Sequence, residues 1–241
     1  MMEPLLLSTA RLSTFHGERL LSGASSFFFE RGQGLFLVTN RHVLHDTATS
    51  HFPTHIEIEL HNDPGNLTRS VGLSVPLYLG GKPVWRQGAD SAGSIDVAVI
   101  PLERAALPPD ALLRCFTPAH LQPPPATVEV GGQVLIVGYP LGFHDTLHHL
   151  PVARQAIIAS SFGLRFQGQG YFLTDARTHL GSSGAPVVMR TSHLGDDAPL
   201  PWLLLGVHSA RMDMSGRDFR YEESLGLNCA WYADILLALT A

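Results

Sequence analysis

Thr178-His179-Leu180-Gly181-Ser182-Ser183-Gly184-Ala185-Pro186-Val187 decides how the rest of the chain is read. It is a Gly-x-Ser-Gly-x-Pro core that runs into the apolar Val187, Val188 and Met189. Glycine accepts the dihedrals of a sharp turn, and small neighbours let another backbone approach. A serine on such a turn, ahead of a strand, suits a nucleophile. The amides of Gly181 and Ser183 are then placed to converge on an oxygen that gains charge. An ordinary Gly/Ser turn before a strand has the same composition, so the stretch needs partners elsewhere in the chain.

Two partners lie upstream. Leu35-Phe36-Leu37-Val38-Thr39-Asn40-Arg41-His42 is an apolar strand that ends in a histidine. Ser94-Ile95-Asp96-Val97-Ala98-Val99-Ile100 is a lone carboxylate entering an apolar strand. The other histidines near the first segment, His45, His51, His55 and His61, stand in polar surroundings. Asp46, Asp63 and Asp90 compete with Asp96 but sit in polar, turn-like stretches. His42, Asp96 and Ser183 are therefore the candidate catalytic set, with Gly181 and Ser183 as the candidate oxyanion donors.

In this order, and with Gly206-Val207-His208-Ser209 following the serine, the chain resembles the chymotrypsin-fold (trypsin-like) serine peptidases in their bacterial, disulfide-free form. The resemblance implies an all-β fold of two six-stranded antiparallel β-barrels with a C-terminal helix. Residues 1–118 would form the barrel carrying His42 and Asp96, and residues 119–241 the barrel carrying Ser183 and the pocket for the residue before the cut, P1. It also implies serine endopeptidase activity on protein or peptide substrates, with no cofactor and no metal. A catalytically silent or partner-activated binding module on the same fold stays open, as does an esterase using the same acyl-transfer machinery.

Two positions depart from the animal enzymes of that family. Ser182 replaces the aspartate that pairs with a newly cut N-terminus, and an Ile-Val-Gly-Gly start is missing, so activation by cleavage is not expected. Thr178, five residues before Ser183, and His208 resemble the P1 pocket of glutamyl endopeptidases and viral 3C-type proteases. A hydroxyl and an imidazole can both hydrogen-bond a carboxylate or amide oxygen. Arg177 would add positive charge that favours an acidic side chain. Leu180, Ser209 and Ala210 complete the expected substrate-binding set. The competing reading gives Thr178 and His208 to barrel structure and leaves a pocket for small apolar residues.

The 241 residues suffice for one large or two small domains with a core that needs no staples. Hydrophobic residues at 45% against 15% charged exclude a disordered chain. Short apolar runs among abundant Gly and Pro point to an all-β architecture. The net charge of -5, with scattered Lys and Arg, leaves no nucleic-acid footprint. No run is long enough for a membrane span, and Met1-Met2-Glu3-Pro4 is too acidic to open a secretory signal, so a cytoplasmic location is expected. Cys115 and Cys229 are expected to be buried free thiols. His144 and His148 have an i, i+4 spacing, but they lie between a Gly-Tyr-Pro turn and a proline, and the stretch reads as a surface loop.

Overall fold

The computed structural model describes residues 2–121, 128–192, 194–195, 198–212 and 226–241. The strands are β1 (Thr9–His16), β2 (Arg19–Arg31), β3 (Gly34–Thr39), β4 (His55–His61), β5 (Ser70–Pro76), β6 (Tyr78–Leu79), β7 (Lys82–Pro83), β8 (Arg86–Asp90) and β9 (Gly93–Leu102), then β10 (Gln133–Gly138), β11 (Val152–Ile158), β12 (Tyr171–Asp175), β13 (Pro186–Arg190), β14 (Trp202–Arg211) and β15 (Leu227–Tyr232). A single helical turn, α1 (Arg41–Leu44), follows β3, and α2 (Ile235–Leu239) ends the chain.

The second half is a closed barrel of six strands, in the order β10-β11-β12-β15-β14-β13. The first half departs from the expected six-stranded barrel. It is a seven-stranded antiparallel sheet, β5-β4-β1-β2-β3-β9-β8, beside a small β6-β7 pair. The extra strand is β8: from the sequence, Gly88 to Ser94 reads as a polar loop leading to Asp96, and the structure puts Gly88 to Asp90 in this strand. Its residues Arg86 to Asp90 are polar and its pairing with β9 slips between Gln87 and Ala89, so it carries no clean alternation.

Alternation along β2 and β9 explains how the two halves meet. Phe27 and Phe29 of β2 join Val97 and Val99 of β9 in one core cluster, while Phe28, Ala98 and Ile100 point the other way into a second. Side chains two apart share a face, so a run of three phenylalanines fills both sides of a doubly covered strand. The first cluster also takes Val137, Val188, Leu204, Val207 and Trp231 from the barrel, and Leu236 and Leu239 from α2. It is thus the shared core between the halves. Each such fully buried side chain contributes roughly 1.5–3 kcal/mol from removal of its apolar surface from water.

From the sequence, Trp231 and Tyr232 read as the turn before the C-terminal helix; in the structure they are the end of β15. Cys115 and Cys229 are both free, and burial pushes each thiol up to about 11. Among the described residues, no helix is long and apolar enough to cross a membrane.

Candidate active site

The register between β3 and β9 sets the first part of the site. Thr39 stands opposite Ala98. The chain then leaves β3 through the buried Asn40 into α1, and Asp96 lies two residues before Ala98 on the facing strand. Asn40 Nδ2 donates to the Asp96 carbonyl at 2.7 Å, tying the end of one strand to the start of the other. The Asp96 carboxylate is then gripped twice by one residue. The His42 amide donates to Oδ1 at 2.9 Å, and Nδ1 of the His42 ring meets Oδ2 at 2.7 Å. With Nδ1 committed to Asp96, Nε2 is the nitrogen that remains for the cleft.

The Ser183 turn belongs to the barrel. The Gly184 amide donates to the His208 carbonyl at 2.9 Å, and the His208 amide donates to the Ala185 carbonyl at 2.8 Å. These bonds dock the turn on β14. Ser209, the next residue of β14, touches both halves of the site. Its hydroxyl donates to Asp96 Oδ2 at 2.6 Å, and its carbonyl accepts from the Ser183 hydroxyl at 3.1 Å. Ser183 makes no hydrogen bond to His42 in this rotamer; such contacts are often loose before substrate binds. His42, Gly181 and Ser183 nonetheless line one cavity of about 620 Å³, together with Leu141, Leu180 and the α1 residue Val43.

Burial pushes the Asp96 pKa up, but the hydrogen bond and charge of His42, the Ser209 hydroxyl and the His42 amide outweigh it. The net result is a carboxyl held below its usual value, ionised beside the imidazole. The rival aspartates are occupied elsewhere. Asp46 bonds Ala48 and Thr49, Asp63 bonds Gly65, Asn66 and Arg69, and Asp90 pairs with Arg165.

Two glycines of the turn are required by their surroundings. Gly181 has φ +89°, and a Cβ there would stand 2.6 Å from the Tyr139 carbonyl oxygen. Gly184 has φ +84°, and its Cβ would stand 2.2 Å from the Ser25 carbonyl oxygen. Both conformations are ones that residues with a Cβ rarely adopt.

The expected substrate-binding residues separate into buried and exposed groups. Thr178, His208 and Ser209 are buried, whereas Arg177, Leu180 and Ala210 are exposed. The Thr178 hydroxyl donates to Asn228 Oδ1 at 2.5 Å, so its proton is already used. His208 pairs with Ala230 of β15, two positions from Asn228, which puts Thr178 and His208 on the same face of the β14-β15 hairpin. His208 is only 2% exposed and its Nδ1 has no hydrogen-bond partner. Burial, with a smaller contribution from the charge of His42, lowers its pKa to about 4. Arg177 lies on the surface.

The sequence reading placed Ser209 with the substrate; the structure puts its hydroxyl on Asp96. Asn40 and Ser25 were missed. Asn40 adjoins the quoted Arg41-His42 pair, but Ser25 carries no local signal beyond a strand.

The profile of the family described as "Trypsin-like peptidase domain" matches residues 24–194. Among proteins of curated function, none matches the sequence. Among solved structures, the chain is similar to the HtrA-type protease AlgW with a tripeptide, at 19% identity and a TM-score of 0.55, over 98% of this chain and 59% of that one. It is also similar to the serine endoprotease from Yersinia pestis, at 16% identity and a TM-score of 0.56, over 98% of this chain and 62% of that one. These likenesses concern the fold, and the chain spans about three fifths of the length of those structures.

Proposed function

The chain belongs to the trypsin-like peptidase domain family, a serine protease family, and from that premise we propose that it hydrolyses peptide bonds in extended protein segments through His42, Asp96 and Ser183. The observation that carries this reading is the chain of bonds Ser183–Ser209–Asp96–His42, which draws three candidate residues from distant parts of the sequence to one cleft.

The chemistry follows from the geometry. The Ser183 hydroxyl swings from the Ser209 carbonyl toward His42 Nε2 and gives up its proton there as Oγ bonds the scissile carbonyl carbon. The carbonyl oxygen becomes an anion and takes hydrogen bonds from the Gly181 and Ser183 amides. The imidazolium, steadied by Asp96, returns the proton to the amine as the C–N bond breaks. Water then attacks the acyl-enzyme by the same route and regenerates Ser183.

The finer part of the proposal is a glutamate or glutamine side chain at P1. The buried His208 ring with its unpartnered Nδ1, on the same face as Thr178, supports it. At neutral pH that ring is uncharged and offers a hydrogen bond, not a positive charge. Comparing Glu, Gln and Ala at P1 in otherwise identical peptides tests it, with His208→Ala expected to reduce cleavage after Glu and Gln selectively. A second reading, a resting site that a protein partner turns on, is favoured by the Ser183 hydroxyl facing Ser209 instead of His42.

Intact-mass labelling with a fluorophosphonate tests the central claim. One adduct on the wild type that vanishes in Ser183→Ala is expected. Labelling that survives in Ser183→Ala would remove Ser183 as the nucleophile.

A further inference from the structure

A trans peptide is planar, so a carbonyl held on one side directs its own N–H to the other. Every carbonyl from Leu180 to Ser183 is held. Leu180 O accepts from the Leu141 amide at 2.5 Å, Ser182 O from the Ala185 amide at 3.0 Å, and Ser183 O from the Ser25 amide at 2.9 Å. Gly181 O accepts from the Ser25 hydroxyl at 2.8 Å. The amides of Ser182 and Gly184 donate to His179 O and His208 O. Those of Gly181 and Ser183 donate to no other described residue. The Gly181 N–H shares its peptide with the held Leu180 carbonyl and the Ser183 N–H with the held Ser182 carbonyl, so these two N–H groups are left unspent on a turn that lines the cavity.

Ser25 supplies two of those four captures, and it comes from β2, in the other half of the chain. It is fully buried and is itself fixed from two sides. Its Oγ accepts from the Tyr139 amide at 2.9 Å, and its carbonyl accepts from Thr39 Oγ1 at 2.9 Å. The slot around it has no spare room: a Cβ at Gly138 would stand 2.4 Å from the Ser25 hydroxyl oxygen. The Tyr139 amide can only donate, so the hydroxyl proton is left for Gly181 O.

We propose that Ser25 is a positioning residue for the oxyanion hole: its hydroxyl holds the Gly181–Ser182 peptide that joins the two donor peptides, and its amide holds the Ser183–Gly184 peptide that follows them, so that the Gly181 and Ser183 amides keep their places toward the substrate oxygen. This rests on Ser183 being the nucleophile. Removing the hydroxyl frees the Gly181–Ser182 peptide, which links the two donor peptides, and lets the Gly181 and Ser183 amides shift relative to each other. The effect falls on the transition state, where charge sits on that oxygen, and little on ground-state binding.

The test uses the full chain with p-nitrophenyl acetate as substrate and a fluorophosphonate as a second probe. Both develop negative charge or a P–O dipole at the same position. Ser25→Ala is compared with Ser26→Ala, which removes an equally buried hydroxyl bonded to the Ala10 carbonyl at 2.9 Å, away from the turn. Ser25→Ala is expected to lower kcat about 10- to 100-fold with KM within about 3-fold, and to slow phosphonylation in parallel. Ser26→Ala is expected to lower the melting temperature while keeping kcat. Equal kcat in the two variants overturns the proposal, as does a Ser25→Ala loss confined to KM. If Ser25→Ala does not fold, Ser25→Cys, with a weaker donor in the same place, is expected to show the same split at smaller size; an unchanged kcat there overturns it. Wild type that never labels refutes the nucleophile reading beneath the inference. Labelling lost in Ser183→Ala with kcat unchanged in Ser25→Ala refutes only the role of Ser25.

Discussion

His208 ties the stability of this protein to pH in a way that its neighbours do not mask. The ring is buried and its pKa is lowered to about 4, against an ordinary value of 6.5. Below about pH 6.5 the unfolded chain takes a proton on this imidazole and the folded chain does not, so acid favours unfolding. The stability associated with the neutral ring is complete above the unfolded value and is lost as pH falls toward the folded one. The full span is worth about 3 kcal/mol, of which about 2 kcal/mol is gone by about pH 5. The charge of His42 adds to burial in holding the His208 pKa down. The assay is urea unfolding followed by tryptophan fluorescence at about pH 7 and about pH 5, on wild type and His208→Leu. The carboxylates contribute equally to both proteins, so the difference isolates His208. The wild type is expected to lose about 2 kcal/mol more than the variant between the two conditions. Parallel losses would show that the imidazole is not held neutral by burial, and the reasoning would fail.

Asp96→Asn keeps the shape of the site but removes the charge that orients and steadies His42, and kcat is expected to fall about 10⁴-fold with a folded protein by circular dichroism. Ser209→Ala removes one of the bonds that hold the Asp96 pKa down. Its acid limb in kcat/KM should therefore move to higher pH, and kcat should fall by about 10-fold, the scale of a hydrogen bond to a charged group. Gly181→Ala puts a Cβ 2.6 Å from the Tyr139 carbonyl at a φ of +89°. Hydrolysis should be lost by about 100-fold or more, as for removal of an oxyanion donor, and an active Gly181→Ala enzyme would argue against that donor.

The fold was legible where side chains alternate on buried strands. Leu35 to Thr39 and Val97 to Ile100 read as strands because their apolar content leaves no other economical structure, and they lie in β3 and β9. Arg86 to Asp90 did not, because an edge strand with polar side chains owes its existence to the pairing offered by β9. The terminal Trp231 and Tyr232 were misplaced for a similar reason: their strand pairs with β12 and β14, segments distant in the chain.

The sequence by itself determined the chemistry-bearing types and their order: a histidine closing one apolar strand, a carboxylate opening another, and a serine on a glycine turn. Such features are local, since each depends on a few neighbouring residues. Only the tertiary structure decided which groups serve them. Ser209 bonds Asp96, Ser25 holds the Ser183 turn across 156 residues of chain to Gly181, and the Thr178 hydroxyl is spent on Asn228. Hydrogen bonds are short and directional, so their partners are fixed by where two distant strands come to lie, and no pattern within either strand records that meeting.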